Sequence, residues 1–191
     1  MWTTERPGLE VTPGFLLLMG VLFWLDEGVG LLPWGALACL LHELGHVAAA
    51  RLCGGRVERL VLSAVGVELT FDYLRPLSYS RDSLVALAGP AVNLAAGAFA
   101  LAMRWYLPAA LSLGVGAFNL LPVRPLDGGR ALYDMAAGSL DPDWAERITT
   151  AAAGCVVGVL VGMGAVAAAK FANVTLLLTA LWLLLRTFQA N

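Results

Sequence analysis

The chain has 191 residues, of which 59 % are apolar and only 14 % are charged, with a formal net charge of −2 at pH 7. A soluble domain is usually about 45–50 % apolar and about 25 % charged, and a chain of this size has too little interior to bury such an apolar excess. The composition predicts a membrane protein and excludes nucleic-acid binders, secreted disulfide scaffolds, disordered tails and cytosolic enzymes.

Six stretches that lack Asp, Lys and Arg predict six transmembrane helices. They are residues 11–25, 28–50, 83–103, 105–123, 148–169 and 171–185. A helix crosses the hydrocarbon with about 17–25 residues, so four stretches suffice and the first and last need flanking polar residues to complete the crossing. The predicted fold class is an all-α polytopic membrane protein.

Residues 57–73, after the second stretch, change from helical to alternating patterning and predict a short membrane-associated β-hairpin with Gly66 at its turn. Apolar Val67, Leu69, Phe71 and Tyr73 alternate there with polar Glu68, Thr70 and Asp72. Two interpretations stay open. The hairpin joins two helices, or its open edge pairs with an extended substrate peptide.

The arginines orient the predicted spans. With a cytoplasmic N-terminus, the inner segments hold Arg6, Arg51, Arg56, Arg59, Arg75, Arg81, Arg124, Arg130, Arg147 and Arg186, and the outer segments hold only Arg104 and Lys170. The excess of basic residues on one side predicts a multi-pass protein of the cell membrane with both termini in the cytoplasm.

Both histidines of the chain lie in one motif, His42-Glu43-Leu44-Gly45-His46, within the second stretch. Four helical residues advance by about 400° and about 6 Å, so the two imidazoles project from one face and can share one metal ion. Glu43 is offset by about 100° and is placed to act as a base for water. The alternative is a pair of packed histidines. It is disfavoured because an ionisable side chain inside a span costs about 2.5–3.5 kcal/mol and is usually functional.

Asp127 is the candidate for the third protein ligand that a catalytic zinc needs. It lies just past the fourth stretch, in a segment that two prolines and two glycines interrupt. Irregular backbone at membrane depth is tolerated only where it lines a protein cavity. The alternative is that Asp127 caps a helix over about residues 130–137. In the six-span model Asp127 and His46 approach the same cytoplasmic leaflet, which favours the ligand.

Cys39 lies on the same helical stripe as His42 and His46, and a thiolate can bind zinc. Such a cysteine is more often a small buried apolar residue, so we expect Cys39 in the core.

Together these residues resemble the site-2 protease family of intramembrane zinc metalloproteases, and within it the compact branch that includes the stage IV sporulation protease. We expect this chain to lack the PDZ insertion and the C-terminal CBS domain of many relatives. The resemblance covers roughly residues 35–135. It depends on the histidine motif, on Ala88-Gly89-Pro90-Ala91-Val92-Asn93, and on the segment from Asn119 to Arg130. It implies zinc bound by His42, His46 and Asp127, with Glu43 as the general base. It further implies that Asn119 and Asn93 line the active site.

The resemblance implies regulated intramembrane proteolysis on the cytoplasmic side, with a membrane-protein substrate such as a transcription-factor or sigma-factor precursor. Expected partners are the lipid bilayer and a membrane inhibitor or regulator, and no nucleic acid. We expect one peptidase domain over residues 1–191, with a catalytic core at about 30–138 and accessory helices at about 145–188. The alternatives are a metal-ion or proton transporter and a proteolytically inactive scaffold.

Overall fold

The computed structural model describes residues 8–26, 28–64 and 66–189, which are mostly helical with one small β-sheet. The chain divides into two compact units, and one boundary between them falls inside a helix, between Pro90 and Ala91. The first unit comprises Met1–Leu77 and Ala91–Gly116, and the second comprises Ser78–Pro90 and Ala117–Asn191. Arg6, one of the arginines predicted to face the cytoplasm, lies outside the described residues, and so do the two chain ends.

Seven helices follow in chain order among the described residues, and each predicted stretch overlaps one of them. They are α1 (Pro13–Leu25), α2 (Leu31–Leu52), α3 (Tyr79–Ala102), α4 (Tyr106–Asn119), α5 (Asp127–Ala137), α6 (Pro142–Phe171) and α7 (Thr175–Gln189). The short helix α5 lies between the fourth and fifth predicted spans and begins at Asp127, directly before the two glycines.

Three of the helices, α2, α3 and α6, are long and apolar enough to cross a membrane. Helices α1 and α7 are apolar but shorter, and α4 has 14 residues. The six-span prediction is therefore confirmed only in part. Helix α4 ends at Asn119, well before the charge at Arg124, because the prolines that follow cannot continue a helix. The length of the uncharged stretch therefore overestimated the length of helix α4.

The predicted hairpin is confirmed. Strands β2 (Gly55–Ser63) and β3 (Gly66–Tyr73) pair antiparallel. Gly66 begins β3 at φ +137°, a backbone conformation that residues with a Cβ rarely adopt. Gly55 faces Tyr73, and a Cβ at Gly55 would overlap the Tyr73 ring.

A third strand, β1 (Gly8–Val11), pairs parallel with β2 and was not predicted. Four residues are too few for alternation to show, and the sequence favoured assigning Val11 to the first span. An ion pair between Glu10 and Arg59 joins the two strands. Since β2 lies between β1 and β3, the free long edge of the described sheet belongs to β3.

Inside the second unit, a buried carboxyl group lies at an unfavourable position. Asp134 on α5 is only 5 % exposed, and its Oδ2 has no hydrogen-bond partner among the described residues. Burial is the main cause that raises the pKa of Asp134 to about 6, and the nearby Asp82 carboxylate raises it further. Arg130, which pairs with Asp82, and Arg124 act in the opposite direction.

Because the folded pKa lies above the unfolded value of 3.8, the folded state holds this proton more tightly. The free energy of unfolding therefore falls as the pH rises from about 4 to about 6, and the loss is complete above that. We expect Asp134→Asn to exceed the native protein in stability by about 1–3 kcal/mol at about pH 7.5, and to match it at about pH 3.5, below the unfolded pKa. Thermal unfolding in detergent at both pH values measures this.

The matched control is Asp72→Asn, which changes an exposed carboxylate on β3. It should not stabilise the protein at the higher pH. An Asp134→Asn protein that is less stable than the native protein at neutral pH would show that the carboxylate makes a stabilising contact instead.

Candidate metal centre

Helix α2 presents the two histidines from its buried face. Its buried residues are Ala38, His42, Gly45, His46 and Ala50, which recur at helical spacing. Leu40 and Leu44, on other faces, are more than half exposed. The predicted helical arrangement of the motif is confirmed, and only 6 % of His42 and 8 % of His46 are exposed.

The two imidazoles point a nitrogen at the same position. Nε2 of His42 lies 3.2 Å from Nε2 of His46, and the rings stand at 84° to each other. Two nitrogens bound to one tetrahedral zinc, at about 2.0–2.1 Å each, lie about 3.3 Å apart. The pair therefore has the separation that a shared zinc ion requires.

Asp127 is the first residue of α5, and the residue before it, Leu126, is the N-cap without a side-chain capping bond. The alternative in which Asp127 caps a helix beginning near Arg130 is therefore wrong, because the helix already begins at Asp127. The side chain is half-buried.

The two glycines after Asp127 allow the preceding loop to lie against the first turn of α5. A Cβ at Gly128 would collide with backbone atoms of Leu120 and Leu121, and a Cβ at Gly129 with backbone atoms of Val123 and Arg124. The two glycines thus hold the loop close to the start of α5, where Asp127 is the first residue. This gives the two glycines a steric reason that the sequence alone did not reveal.

The candidate metal ligands are His42, His46 and Asp127. Each histidine offers a ring nitrogen and Asp127 offers a carboxylate oxygen. Two imidazoles and one carboxylate are a donor set typical of catalytic zinc, which keeps a fourth position open for water or substrate. The residues present therefore fit the metal that the sequence predicts.

The two residues predicted to do chemistry lie outside this donor group. Glu43 is half-buried on α2, next to His42, and Asn119 is the half-buried last residue of α4. Their catalytic roles stay predictions.

Asn93 contacts a candidate ligand directly. Its side chain is fully buried, and its Oδ1 lies 2.8 Å from Nδ1 of His42. Its Nδ2 donates to the Ala38 carbonyl oxygen at 2.9 Å and to Ser112 Oγ at 3.2 Å. Asn93 therefore lies behind His42, in contact with the ring, where the resemblance implied a residue lining the active site.

Ser112 was missed by the sequence analysis. Its hydroxyl donates to the Asn93 backbone oxygen at 2.9 Å, and the side chain is 5 % exposed. The available signal was weak, since Ser112 is one polar side chain within the apolar stretch 105–123.

The prediction that Cys39 is buried in the core is wrong, because Cys39 is exposed. Ala38, which is four residues before His42, takes the buried position on the stripe instead. Cys39 also does not belong to the metal-binding group found in the described residues.

The sequence and the fold both match known proteins. A family model described as Peptidase M50B-like matches residues 15–126. The chain is 29 % identical over 142 residues to a zinc metalloprotease of Methanocaldococcus jannaschii, covering 65 % of this chain and 41 % of that protein. It is 34 % identical over 143 residues to stage IV sporulation protein FB of Bacillus subtilis, covering 65 % of this chain and 49 % of that protein.

The solved structure of a site-2 protease from Methanocaldococcus jannaschii has the same fold. The TM-score is 0.69 at 21 % sequence identity, and the match covers 99 % of this chain and 93 % of the other. The chain spans less than half the length of the two curated relatives.

We expect Gly129→Ala to lower the affinity for zinc by about 10- to 100-fold, since the Cβ displaces the loop from α5 and with it the Asp127 carboxylate. Competition with a metal chelator measures the affinity. The matched control is Gly154→Ala on α6, where a Cβ meets nothing within 4 Å and zinc affinity should not change. Native affinity in Gly129→Ala would mean that Asp127 is not a ligand.

Proposed function

The chain belongs to the Peptidase M50B-like family, and from this premise we propose that it is an intramembrane zinc metalloendopeptidase. It hydrolyses peptide bonds in or next to transmembrane segments of membrane proteins. The observation that carries the proposal is the pair of buried imidazoles of His42 and His46, whose Nε2 atoms lie 3.2 Å apart, and Asp127 is the proposed third ligand. The three span-length helices support a location in the membrane.

In this mechanism His42, His46 and Asp127 would hold zinc, which when bound would lower the pKa of water and polarise the scissile carbonyl. Glu43 follows His42 on α2, and its carboxylate takes the proton from the attacking water and passes it to the leaving amine. The Asn119 amide donates a hydrogen bond to the oxyanion of the tetrahedral intermediate.

The substrate must be unwound before it is cut, because a helix hides its carbonyl groups in its own hydrogen bonds. Strand β3 offers a place for the unwound segment. Its residues alternate between exposed and half-buried, and within the described sheet it pairs on one side only. An extended substrate peptide would add to this edge by backbone hydrogen bonds.

The chain crosses the membrane six times in this proposal, with α1, α4 and α7 completing their crossings through flanking polar residues. Both termini and the active site lie toward the cytoplasm. The distribution of arginines supports this orientation. A membrane-tethered transcription or sigma factor is the proposed substrate, and a membrane inhibitor or regulator the proposed partner. Similarity to stage IV sporulation protein FB over 65 % of this chain supports that choice.

The decisive variant is Glu43→Gln, which keeps the size of the side chain but removes the base. We expect it to bind zinc as tightly as the native protein and to cleave a reconstituted membrane-tethered substrate about 10²- to 10⁴-fold more slowly. Zinc content and the rate of product release in liposomes are the two measurements.

Two comparisons complete the experiment. His46→Ala should lose both zinc and cleavage, whereas Cys39→Ala, at an exposed position on the same helix, should keep both. Cleavage at the native rate by Glu43→Gln would refute the proposed mechanism. Zinc flux across the liposome membrane without cleavage by the native protein would identify a transporter instead.

A further inference from the structure

We propose that Asn93 and Ser112 are positioning residues that hold the His42 imidazole in the Nδ1–H tautomer, so that Nε2 offers its lone pair to the metal. The inference rests on the proposed function, because it assigns a purpose to the second nitrogen of a zinc ligand. It concerns α2, α3 and α4, which contribute His42, Asn93 and Ser112 respectively.

The orientation of the Asn93 amide follows from its contact with the backbone. The Ala38 carbonyl oxygen can only accept a hydrogen bond, so the Asn93 atom 2.9 Å from it must be the donor Nδ2. Oδ1 then faces Nδ1 of His42 at 2.8 Å. An amide oxygen only accepts, so Nδ1 must carry the hydrogen.

The tautomer decides which ring nitrogen can bind a metal. A neutral imidazole has one N–H, so a hydrogen on Nδ1 leaves Nε2 with a free lone pair. Nε2 is the nitrogen that lies 3.2 Å from Nε2 of His46. The Asn93 contact thus prepares His42 for the shared ion.

Ser112 prevents the amide from turning over. Its Oγ accepts from Nδ2 of Asn93 at 3.2 Å and donates to the Asn93 backbone oxygen at 2.9 Å. With Asn93 at 0 % and Ser112 at 5 % exposure, water cannot replace these bonds. A flipped amide would place its oxygen against the Ala38 oxygen and leave buried groups unmatched.

Asn93 also ties the ring to one turn of its own helix. Ala38 and His42 are four residues apart on the same face of α2, and the Asn93 amide bridges the carbonyl of the first and the ring of the second. Only a side chain that both donates and accepts can do this. Aspartate cannot donate to Ala38, and leucine can do neither.

The chain has only two histidines, so ring tautomers can be observed directly. We would label histidine with ¹⁵N in the full-length metal-free protein, carrying a tag without histidine, and record ring nitrogen–proton correlations at mildly alkaline pH. We expect Nδ1–H for His42 in the native protein and a mixture of tautomers in Asn93→Leu. Ser112→Ala should show a smaller shift in the tautomer ratio. Ser112→Thr, which keeps the hydroxyl group, should give the native spectrum.

The same variants are titrated with zinc against a chelator. We expect Asn93→Leu to bind about 10- to 100-fold more weakly, as is typical when a partner of a metal-bound histidine is lost, and Ser112→Ala to lose less. Thr149→Val is the control for loss of a buried hydroxyl group. Thr149 is 2 % exposed, and its hydroxyl group donates to the Ala145 oxygen of its own helix.

A native tautomer in Asn93→Leu overturns the inference whether or not zinc affinity falls, because the effect would then come from packing alone. If Asn93→Leu does not fold, Ser112→Ala and Ser112→Thr decide the question by the same spectra. Failure of the native protein to bind zinc would refute the proposed function. The spectra of the metal-free protein would still test whether Asn93 holds the His42 tautomer.

Discussion

A polar side chain is tolerated among apolar helices only when its donors and acceptors are matched, and this condition governs the surroundings of His42. Asn93 meets it through His42, Ala38 and Ser112, so that its amide is satisfied by two neighbouring helices. The buried histidines depend on the same matching. The hydrogen bonds around the candidate metal ligand His42 therefore also satisfy the polar groups that are buried among the apolar helices.

The sequence predicted the parts of this arrangement that depend on local geometry. His42 and His46 share a face because four residues make about one helical turn, and β2 and β3 alternate because a strand has a period of two residues. The steric part was out of reach. Nothing local shows that backbone from Leu120 to Arg124 lies against Gly128 and Gly129, or that Ser112 meets Asn93 from another helix.

Errors in the prediction had identifiable causes. The boundaries of α4 were set by the absence of charge, although proline ends a helix sooner than the next arginine does. Cys39 was assigned to the core from its residue type, but in a membrane protein an apolar residue on a helix has two favourable environments, the interior and the lipid. The single peptidase domain over residues 1–191 stays a prediction.

Strand β1 imposes an order on how the sheet is completed. It pairs in parallel with β2, with Gly8 opposite Arg59 and Val11 opposite Leu62, so two helices, α1 and α2, must lie between the strands along the chain. During synthesis β1 emerges first but has no partner until both helices have been made. β1 can therefore pair with β2 only after the helix that carries both histidines has been synthesised. A completed sheet shows that this part of the chain is in place.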